Sequence, residues 1–511
     1  MFEGQPKGLF TLALANTGER FGYYTMLAVF VLFLQENFGL SAAAAGSIYS
    51  TFMMFVYLLP LLGGILADKF GYNKMVTSGI VIMFLGYVLL SVPAGAGSLA
   101  YAFMIGALAM IALGTGLFKG NLQVMVGNLY DDPKYSSKRD SAFSIFYMAI
   151  NVGALFAPST AVELMRWAQE DMGASLADSY HYAFGVACIS LVFSMAIYYL
   201  GRPTYAQLLK ADTKKTDAKT EEYLEELTPA QTKERVMALC LVFAVVIFFW
   251  MAFQQNGLTL TYFARDYVQT SASGAQSMLF NVWSLVLVLV FEYALLSMVP
   301  SKTGKPKSIA VSIFVASLAL GALAYQYINV SGSIAVDAPI FQHFNPFFVI
   351  ALTPASLAFF AMLAKRGAEP SAPKKIGLGM LIAAAGFMVI SLGCFGLDTP
   401  DAQVAGIKAG ADVTRVSANW LVGTYLVLTF AELFLSPMGI SFVSKVAPPK
   451  MKGMMMGGWF VATAAGNMLT FIPAMIWGEH SLLIVWGLLI GLCLISAIFI
   501  FSILKRLEKV A

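Results

Sequence analysis

Residues 9–34, LFTLALANTGERFGYYTMLAVFVLFL, decide the fold, because they form an apolar stretch long enough to cross a bilayer. Two charged residues, Glu19 and Arg20, lie in the middle of this stretch. A charged side chain at the centre of a membrane costs roughly 2.5–3.5 kcal/mol even on the mildest insertion scales. Such groups are kept where they face one another or a wet cavity. The stretch therefore predicts a membrane helix that contributes charge to a cavity inside a helical bundle.

The rest of the chain has the composition of an integral membrane protein. Of its 511 residues, 59% are hydrophobic and 12% are charged, whereas soluble domains carry about 25% charged residues. The apolar stretches are too long, and alternate too little, to be the strands of a membrane barrel. We predict an all-α membrane protein with about 14 transmembrane helices. The predicted spans are 9–34, 46–67, 75–93, 100–127, 141–162, 181–200, 235–256, 277–298, 308–328, 346–364, 375–394, 418–443, 453–475 and 481–504.

The positions of lysine and arginine predict the orientation. If the N-terminus is inside, the great majority of the 32 lysines and arginines fall in inside loops. The outside loops then hold only Arg166, Arg265, Lys408 and Arg415. The positive-inside rule therefore predicts that both termini are cytoplasmic. The formal net charge of +4 describes loops that face anionic membrane lipid, and we expect no nucleic-acid partner.

One polar segment, residues 202–233, interrupts the apolar pattern and is rich in both signs of charge. It predicts a flexible or amphipathic cytoplasmic linker. The linker separates an N-terminal six-helix bundle, residues 1–201, from a C-terminal bundle, residues 234–511. Two bundles around a central site are a common plan in transporters, in which one bundle rocks against the other.

A short motif lies at the predicted inside turn between the second and third helices: Gly64-Ile-Leu-Ala-Asp68-Lys69-Phe-Gly71-Tyr-Asn-Lys74. It resembles the Gly-x-x-x-Asp-Lys/Arg-x-Gly-x-x-Lys/Arg loop of the major facilitator superfamily. The resemblance implies two six-helix bundles, here with two extra transmembrane helices. The glycines allow a tight turn, and Asp68 is placed to hold a gating ion pair. The alternative is that Lys69 and Lys74 are ordinary inside charges.

Charges at mid-helix predict a cavity with two walls of opposite sign. Lys119 lies near the middle of the fourth span and needs a carboxylate neighbour, for which Glu19 is the leading candidate. Arg20 and Lys119 place positive charge in the N-terminal half, while Glu432 is the one mid-helix acid of the C-terminal half. Such a cavity complements a zwitterion with a separated amine and carboxylate. A purely structural Glu19–Arg20 pair that locks helices together is the alternative.

Six groups of residues, together and in this order, resemble the proton-dependent oligopeptide transporter (POT/PTR2) family. They are Glu19-Arg20-Phe-x-Tyr23-Tyr24, Gly114-Thr-Gly-Leu-Phe-Lys119-x-Asn121, Phe146-Tyr147-x-x-Ile150-Asn151-x-Gly153, Phe249-Trp250 with Gln254-Gln255, Asn345-Pro346, and Glu432 with Ser436-Pro437. The resemblance covers nearly all of the chain. It implies a symporter of the bacterial inner membrane that imports di- and tripeptides with protons by alternating access.

The resemblance also implies roles for individual residues. Arg20 and Lys119 would face the peptide carboxylate, and Glu432 would meet the peptide amine. Glu19, Glu432 and Lys119 are the candidates for proton coupling. The other residues implied to line the binding site are Tyr23, Tyr24, Tyr57, Asn151, Trp250, Gln254, Asn345 and Trp459. Aromatic core packing is the alternative for the two tryptophans.

Three departures from the family pattern bear on proton coupling. Asn16 stands where the family has the first acid of Glu-x-x-Glu-Arg, Gln254 where it often has an acid, and Leu27 where it often has an arginine. An amide cannot carry the coupling proton, so this work falls on Glu19 or Glu432. We hypothesise that Glu19 titrates, released from its basic neighbours when a peptide carboxylate arrives. His181, His343 and His480 all lie away from mid-helix, so we expect no buried imidazole to take this role.

The two extra helices form a predicted hairpin at about 277–328. The motif match assigns the seventh core helix to 235–256, and Asn345-Pro346 opens the eighth. The competing assignment takes 235–256 and 277–298 as the extra pair.

Other function classes are disfavoured. No phosphate-binding Gly-x-x-x-x-Gly-Lys-Ser/Thr motif and no Ser/His/Asp set within the helices is present, so we expect neither an ATP-driven pump nor an enzyme. The cysteines lack metal-like spacing, and we predict no metal or cofactor. The nearest rival is a transporter of the same fold for a peptide-like conjugate or another small anion or zwitterion, with altered or absent proton coupling. In either case we expect a monomer.

Overall fold

The computed structural model describes residues 4–208, 227–298, 306–330 and 332–510, and these are almost entirely helical. The α-helices are α1 Lys7–Phe38, α2 Ala42–Phe70, α3 Tyr72–Leu90, α4 Ser98–Asn128, α5 Arg139–Glu170, α6 Leu176–Leu200, α7 Pro229–Phe253, α8 Thr259–Tyr267, α9 Ala275–Leu279, α10 Val282–Met298, α11 Pro306–Asn329, α12 Phe344–Lys365, α13 Ala372–Leu392, α14 Pro400–Lys408, α15 Ala418–Val446, α16 Lys452–Leu469, α17 Phe471–Met475, α18 Leu482–Ser502 and α19 Leu504–Val510. Short 3₁₀ helices include Arg202–Tyr205, Gln254–Gly257 and Ala338–His343.

Twelve helical segments of the described chain are long and apolar enough to cross a membrane. The first helix, α1, has 32 residues and is not among them; Glu19 and Arg20 lie in its interior. The apolar helix α10 has only 17 residues. The predicted number of about fourteen spans therefore stays a prediction, whereas the all-α membrane class is confirmed.

Small residues allow the helices of the N-terminal half to approach closely. Helix α2 packs on α4, and a Cβ atom at Gly63 would overlap the carbonyl oxygen of Gly116. Helix α3 also packs on α4, and a Cβ at Gly79 would lie 2.7 Å from the carbonyl oxygen of Gly114. Without a hydrophobic driving force between helices in lipid, such backbone contact is a main source of helix association.

The helices pack against one another within each half of the chain and also between the two halves. Within residues 4–208, α1 packs on α5 and α6; within residues 227–510, α13 packs on α15 and α18, and α7 packs on α16. Between the halves, α2 contacts α16 and α17, and α5 contacts α12. Helix α7 ends at Phe253, and the 3₁₀ turn Gln254–Gly257 separates it from α8.

The predicted extra hairpin consists of α10 and α11, which pack against each other. Helix α10 also contacts α5 and α12, through a small apolar cluster of Leu155, Leu285, Leu289, Phe347 and Ile350. A departure from the all-α expectation lies at the base of the hairpin, where strands β1 Ser271–Ser273 and β2 Ser333–Ala335 pair antiparallel. The hairpin turn falls in residues 299–305, outside the described residues.

The turn between α2 and α3 contains one glycine whose backbone conformation is unfavourable for other residues. Gly71 has φ +94°, a conformation that side chains disfavour, and it separates the two helices. Gly64 lies inside α2 and is not part of the turn. Asp68 accepts a hydrogen bond from the Tyr72 hydroxyl at 2.7 Å, and the Lys69 ammonium lies 5.4 Å from the ring of Phe70. The predicted gating ion pair of Asp68 is not formed among the described residues.

The predicted linker is described only at its ends. Residues 209–226 lie outside the described chain. Before them, the 3₁₀ helix Arg202–Tyr205 docks against the bundle, where the buried Tyr205 donates a hydrogen bond to the carbonyl oxygen of Tyr198 at 2.5 Å.

Candidate substrate-binding cavity

A cavity of about 250 Å³ lies between the two halves of the chain. It is lined by side chains of α1, α2, α4 and α5 on one side and of α7, α12, α15 and α16 on the other, together with the turn after α7. All eleven residues that the sequence predicts for the binding site line this cavity: Arg20, Tyr23, Tyr24, Tyr57, Lys119, Asn151, Trp250, Gln254, Asn345, Glu432 and Trp459.

The wall from the N-terminal half carries two cations in different electrostatic settings. Arg20 is buried and forms an ion pair with Glu19, which is also buried. The Arg20 guanidinium lies 4.6 Å from the ring centroid of Tyr23. The Lys119 ammonium lies 4.2 Å from the ring centroid of Tyr57 and forms no ion pair with any described residue. The expected Glu19–Lys119 contact is therefore not formed, because Glu19 is engaged by its neighbour Arg20.

The wall from the C-terminal half carries Glu432, whose partners are all neutral. Asn345 donates to one carboxylate oxygen at 2.9 Å, and the Tyr147 hydroxyl donates to the other at 3.3 Å. Asn345 is itself held by Thr429, whose hydroxyl oxygen accepts a hydrogen bond from the same amide at 3.1 Å. Both donors are uncharged, so the carboxylate has no cationic counter-ion among the described residues and is free to pair with a cationic ligand.

The two tryptophans both line the cavity and pack in the core. Trp250 is 9% exposed, and its ring centroid lies 5.7 Å from Phe253 and 6.5 Å from Tyr57. Trp459 is 3% exposed. The two interpretations offered by the sequence are therefore compatible, since each ring presents part of its surface to the cavity.

Sequence reasoning missed Tyr147, which appeared only as a letter of a motif. Tyr147 lies one helical turn before Asn151, and the Asn151 amide donates to its carbonyl oxygen at 3.0 Å. Because residues four apart share a helix face, the assignment of Asn151 to the cavity was a sufficient signal. Tyr49 and Gln342 also line the cavity without having been predicted.

Two histidines and Asn16 are buried away from the cavity lining. His343 and His181 are both buried, and neither lines the cavity. Asn16 is buried outside the cavity lining, and its amide nitrogen has no hydrogen-bond partner among the described residues. Within the described ranges no group of three acidic, histidine or cysteine side chains could hold a metal ion.

One end of the cavity is closed by polar contacts between the halves. Arg265 of α8 donates to the side-chain oxygen of Gln35 at 2.6 Å, and Gln342 donates to the carbonyl oxygen of Ala28 at 3.0 Å. Farther out, Arg166 pairs with Asp337 at 2.9 Å.

The opposite end, toward the first residues of α1 and the last of α18, is more open. Tyr147 and Ile440 line the cavity there, and they are 43% and 42% exposed.

A comparison with protein families identifies the chain. A family model described as "POT family" matches residues 73–214 and 322–481, which is more than half of the chain. The chain belongs to the POT family. It is a multi-pass membrane transporter, not an enzyme.

Similar proteins agree with this assignment over nearly the whole chain. A "Di-/tripeptide transporter" of Lactococcus lactis subsp. cremoris is 28% identical over 91% of this chain and 88% of that protein. An "Uncharacterized transporter YclF" of Bacillus subtilis (strain 168) is 29% identical over 91% of this chain and 87% of that protein.

Solved structures agree as well. A mutant of "peptide transporter POT" in complex with alafosfalin is 25% identical, with a TM-score of 0.72 over 100% of this chain and 96% of that chain. A POT family transporter in complex with 5-aminolevulinic acid, at 20% identity and a TM-score of 0.70, shows the fold alone. The chain has the major facilitator fold.

Proposed function

We propose that the protein imports di- and tripeptides by proton-coupled alternating access. The observation that carries this proposal is the charge arrangement of the cavity. The ammonium of Lys119, which is unpaired within the described part of the chain, and the carboxylate of Glu432 line one closed-ended space. A short peptide is a zwitterion whose two terminal charges match these two groups. The names of similar proteins, a di-/tripeptide transporter and a peptide transporter, support the same substrate class.

Each terminal group of a peptide has a matching site in the cavity. The peptide carboxylate binds Lys119, which has no acidic partner among the described residues, and is also reached by Arg20. The peptide amine binds Glu432, where it competes with the neutral donors Asn345 and Tyr147. In the nonpolar surroundings of the cavity these charge-assisted contacts are stronger than in water. The aromatic residues Trp250 and Trp459 then contact the peptide side chains.

The Glu19–Arg20 pair supplies a route for proton coupling. Glu19 forms an ion pair with Arg20, which lines the cavity. When a peptide carboxylate takes over Arg20, Glu19 loses its counter-ion, and a proton then compensates its buried charge. Glu432 and Lys119 are the other titratable groups of this site. Substrate binding and proton uptake thus favour each other.

Uptake of labelled di-alanine into proteoliposomes, with and without an imposed inward proton gradient, tests the proposal. We expect accumulation above equilibrium only with the gradient. Accumulation that is the same with and without the gradient would exclude proton coupling, and no uptake in either condition would exclude the peptide substrate.

A second candidate is a transporter of a peptide-like conjugate or another small anion or zwitterion, with altered or absent proton coupling. The amides Asn16 and Gln254 favour it, because the family has an acid at the first position and often has one at the second. A competition panel separates the two candidates, because unlabelled dipeptides displace a labelled dipeptide only in the first case.

The domain arrangement and orientation belong to the same proposal. Residues 1–201 and 234–511 form two bundles that rock around the cavity, joined by the cytoplasmic linker 202–233 and supplemented by the hairpin at about 277–328. Both termini lie in the cytoplasm of a bacterial cell, the protein is a monomer in the inner membrane, and the cavity described above opens inward. Alkaline phosphatase fusions test the orientation, since a fusion after residue 172 should be active and a fusion after residue 510 inactive.

A further inference from the structure

The indole of Trp459 lies directly against the backbone of Gly439. Gly439 is in α15 and Trp459 is in α16, two helices that pack against each other. A Cβ atom on Gly439 would overlap Cη2 and Cζ3 of the indole ring. No residue other than glycine therefore fits at position 439 unless the indole moves.

The backbone of Gly439 gives no other reason for a glycine. It has an ordinary helical conformation, since it is not among the glycines with positive φ. In a helix interior glycine is less favourable than alanine. The space that the missing side chain leaves is filled by the ring of Trp459.

The position of this ring sets one wall of the cavity. Trp459 lines the cavity, and so do Ser436 and Ile440, which lie on either side of Gly439 along α15. Trp459 is only 3% exposed, so close packing surrounds the ring on the sides away from the cavity. A displaced ring therefore moves into the cavity.

We propose that Gly439 is a specificity-determining residue, whose missing side chain lets the Trp459 indole lie back against α15 and leaves room for a large apolar side chain of the substrate. This inference rests on the proposed function and deepens it. The substrates that depend on Gly439 are dipeptides with an aromatic or branched apolar side chain, which pack against the indole face. Small dipeptides depend on it less.

The test compares Gly439→Ala with Gly423→Ala, a matched control in the same helix. A Cβ at Gly423 has its nearest neighbour at an ordinary contact distance of 3.5 Å, so this variant should behave as wild type. In proteoliposomes, Gly439→Ala should raise the KM for phenylalanyl-alanine at least about tenfold, the discrimination that a single methyl group can bring to an apolar pocket. The KM for di-alanine should rise about twofold at most.

A double-mutant cycle shows whether the effect passes through the indole. In a Trp459→Ala background the added methyl group has free space, so Gly439→Ala should cause no further change in either KM. Equal losses for both peptides, or a loss that persists without the indole, would overturn the inference.

The same cycle measured by thermal unfolding in detergent needs no transport. Gly439→Ala should lower the melting temperature when Trp459 is present and not when it is alanine, and equal shifts in both backgrounds would overturn the inference. If the wild-type protein took up no peptide, the proposed function would fail, and this cycle would still decide whether Gly439 positions the indole.

Discussion

The Asn345 amide donates a hydrogen bond to the Glu432 carboxylate at 2.9 Å, so a neutral group holds the anionic wall of the cavity. Neither Asn345 nor Tyr147 carries a positive charge, so the carboxylate has no counter-ion among the described residues and can accept a ligand amine. Glu432→Gln should therefore raise the KM for di-alanine at least about tenfold, because a buried charge partner is lost. N-acetylated di-alanine, which has no ammonium group, should compete equally weakly against both proteins. A Glu432→Gln variant with unchanged KM would exclude the amine contact.

Lys119 should be required for recognition of the peptide carboxylate. Its ammonium lies over the Tyr57 ring and has no acidic partner in the described chain. We expect Lys119→Gln to weaken the binding of di-alanine by about tenfold or more and to leave the binding of the C-terminally amidated peptide unchanged. Competition of each unlabelled peptide against a labelled one measures both. Equal losses for the free acid and the amide would show that Lys119 acts on the protein rather than on the substrate.

Substitution of Glu19 should abolish proton coupling but leave peptide exchange across the membrane intact. Glu19→Gln removes the ionised partner of Arg20 and the proposed proton carrier. We expect loss of gradient-driven accumulation, while exchange of labelled for unlabelled di-alanine across the membrane continues. Full accumulation in this variant would exclude Glu19 and leave Glu432 and Lys119 as the candidate proton carriers.

The Arg166–Asp337 pair should stabilise the closed end of the cavity. The two side chains are 34% and 45% exposed, so solvent screens the pair and its contribution is small, about 0.2–1 kcal/mol. Arg166→Asp should increase labelling of a cysteine introduced at position 35, at the closed end. The charge-swapped double variant with Asp337→Arg should restore the lower labelling. Labelling that stays high in the double variant would indicate another role for Arg166, which also contacts Glu163 at 3.1 Å.

Substitutions of the neighbouring residues Gly63 and Gly64 by alanine should have very different effects on stability. A Cβ at Gly63 would overlap the Gly116 backbone, whereas a Cβ at Gly64 meets nothing within 4 Å. Gly63→Ala should destabilise the protein by about 1–3 kcal/mol, the usual effect of overpacking. Gly64→Ala should leave stability unchanged or raise it slightly, because alanine is the better helix former. Thermal unfolding in detergent measures both, and equal effects would contradict the close α2–α4 crossing.

Much of the fold was predictable because the length and composition of a membrane helix are constrained. The predicted span 100–127 corresponds to α4, Ser98–Asn128, within two residues at each end. The predicted span 375–394 corresponds to α13, Ala372–Leu392, with a similar error. An apolar stretch near 20 residues has few alternatives in lipid, where every backbone polar group needs an internal partner.

Local contacts were harder to predict than helices. The sequence placed Glu19 near both Arg20 and Lys119 but could not decide between them, because that choice depends on side-chain directions in the folded bundle. The strands at residues 271–273 and 333–335 were also not predicted, because each is only three residues long and forms only by pairing with a strand far away in the sequence. The Gly439–Trp459 contact joins two helices. Hydrophobic periodicity describes each helix separately, so it could not predict this contact.

The apolar cluster at α10 has a consequence for access to the cavity. Its members come from α5, from the hairpin helix α10 and from α12, and the Tyr293 hydroxyl adds a hydrogen bond to the carbonyl oxygen of Ile350 at 3.0 Å. Helices α5 and α12 belong to opposite halves, and their seam lies beside Ala154 and Pro346 of the cavity lining. The hairpin therefore covers the seam between α5 and α12 on the side that would face lipid acyl chains. We therefore expect that an apolar solute dissolved in the bilayer does not reach the cavity through this seam, and that cargo enters through the aqueous end of the cavity instead.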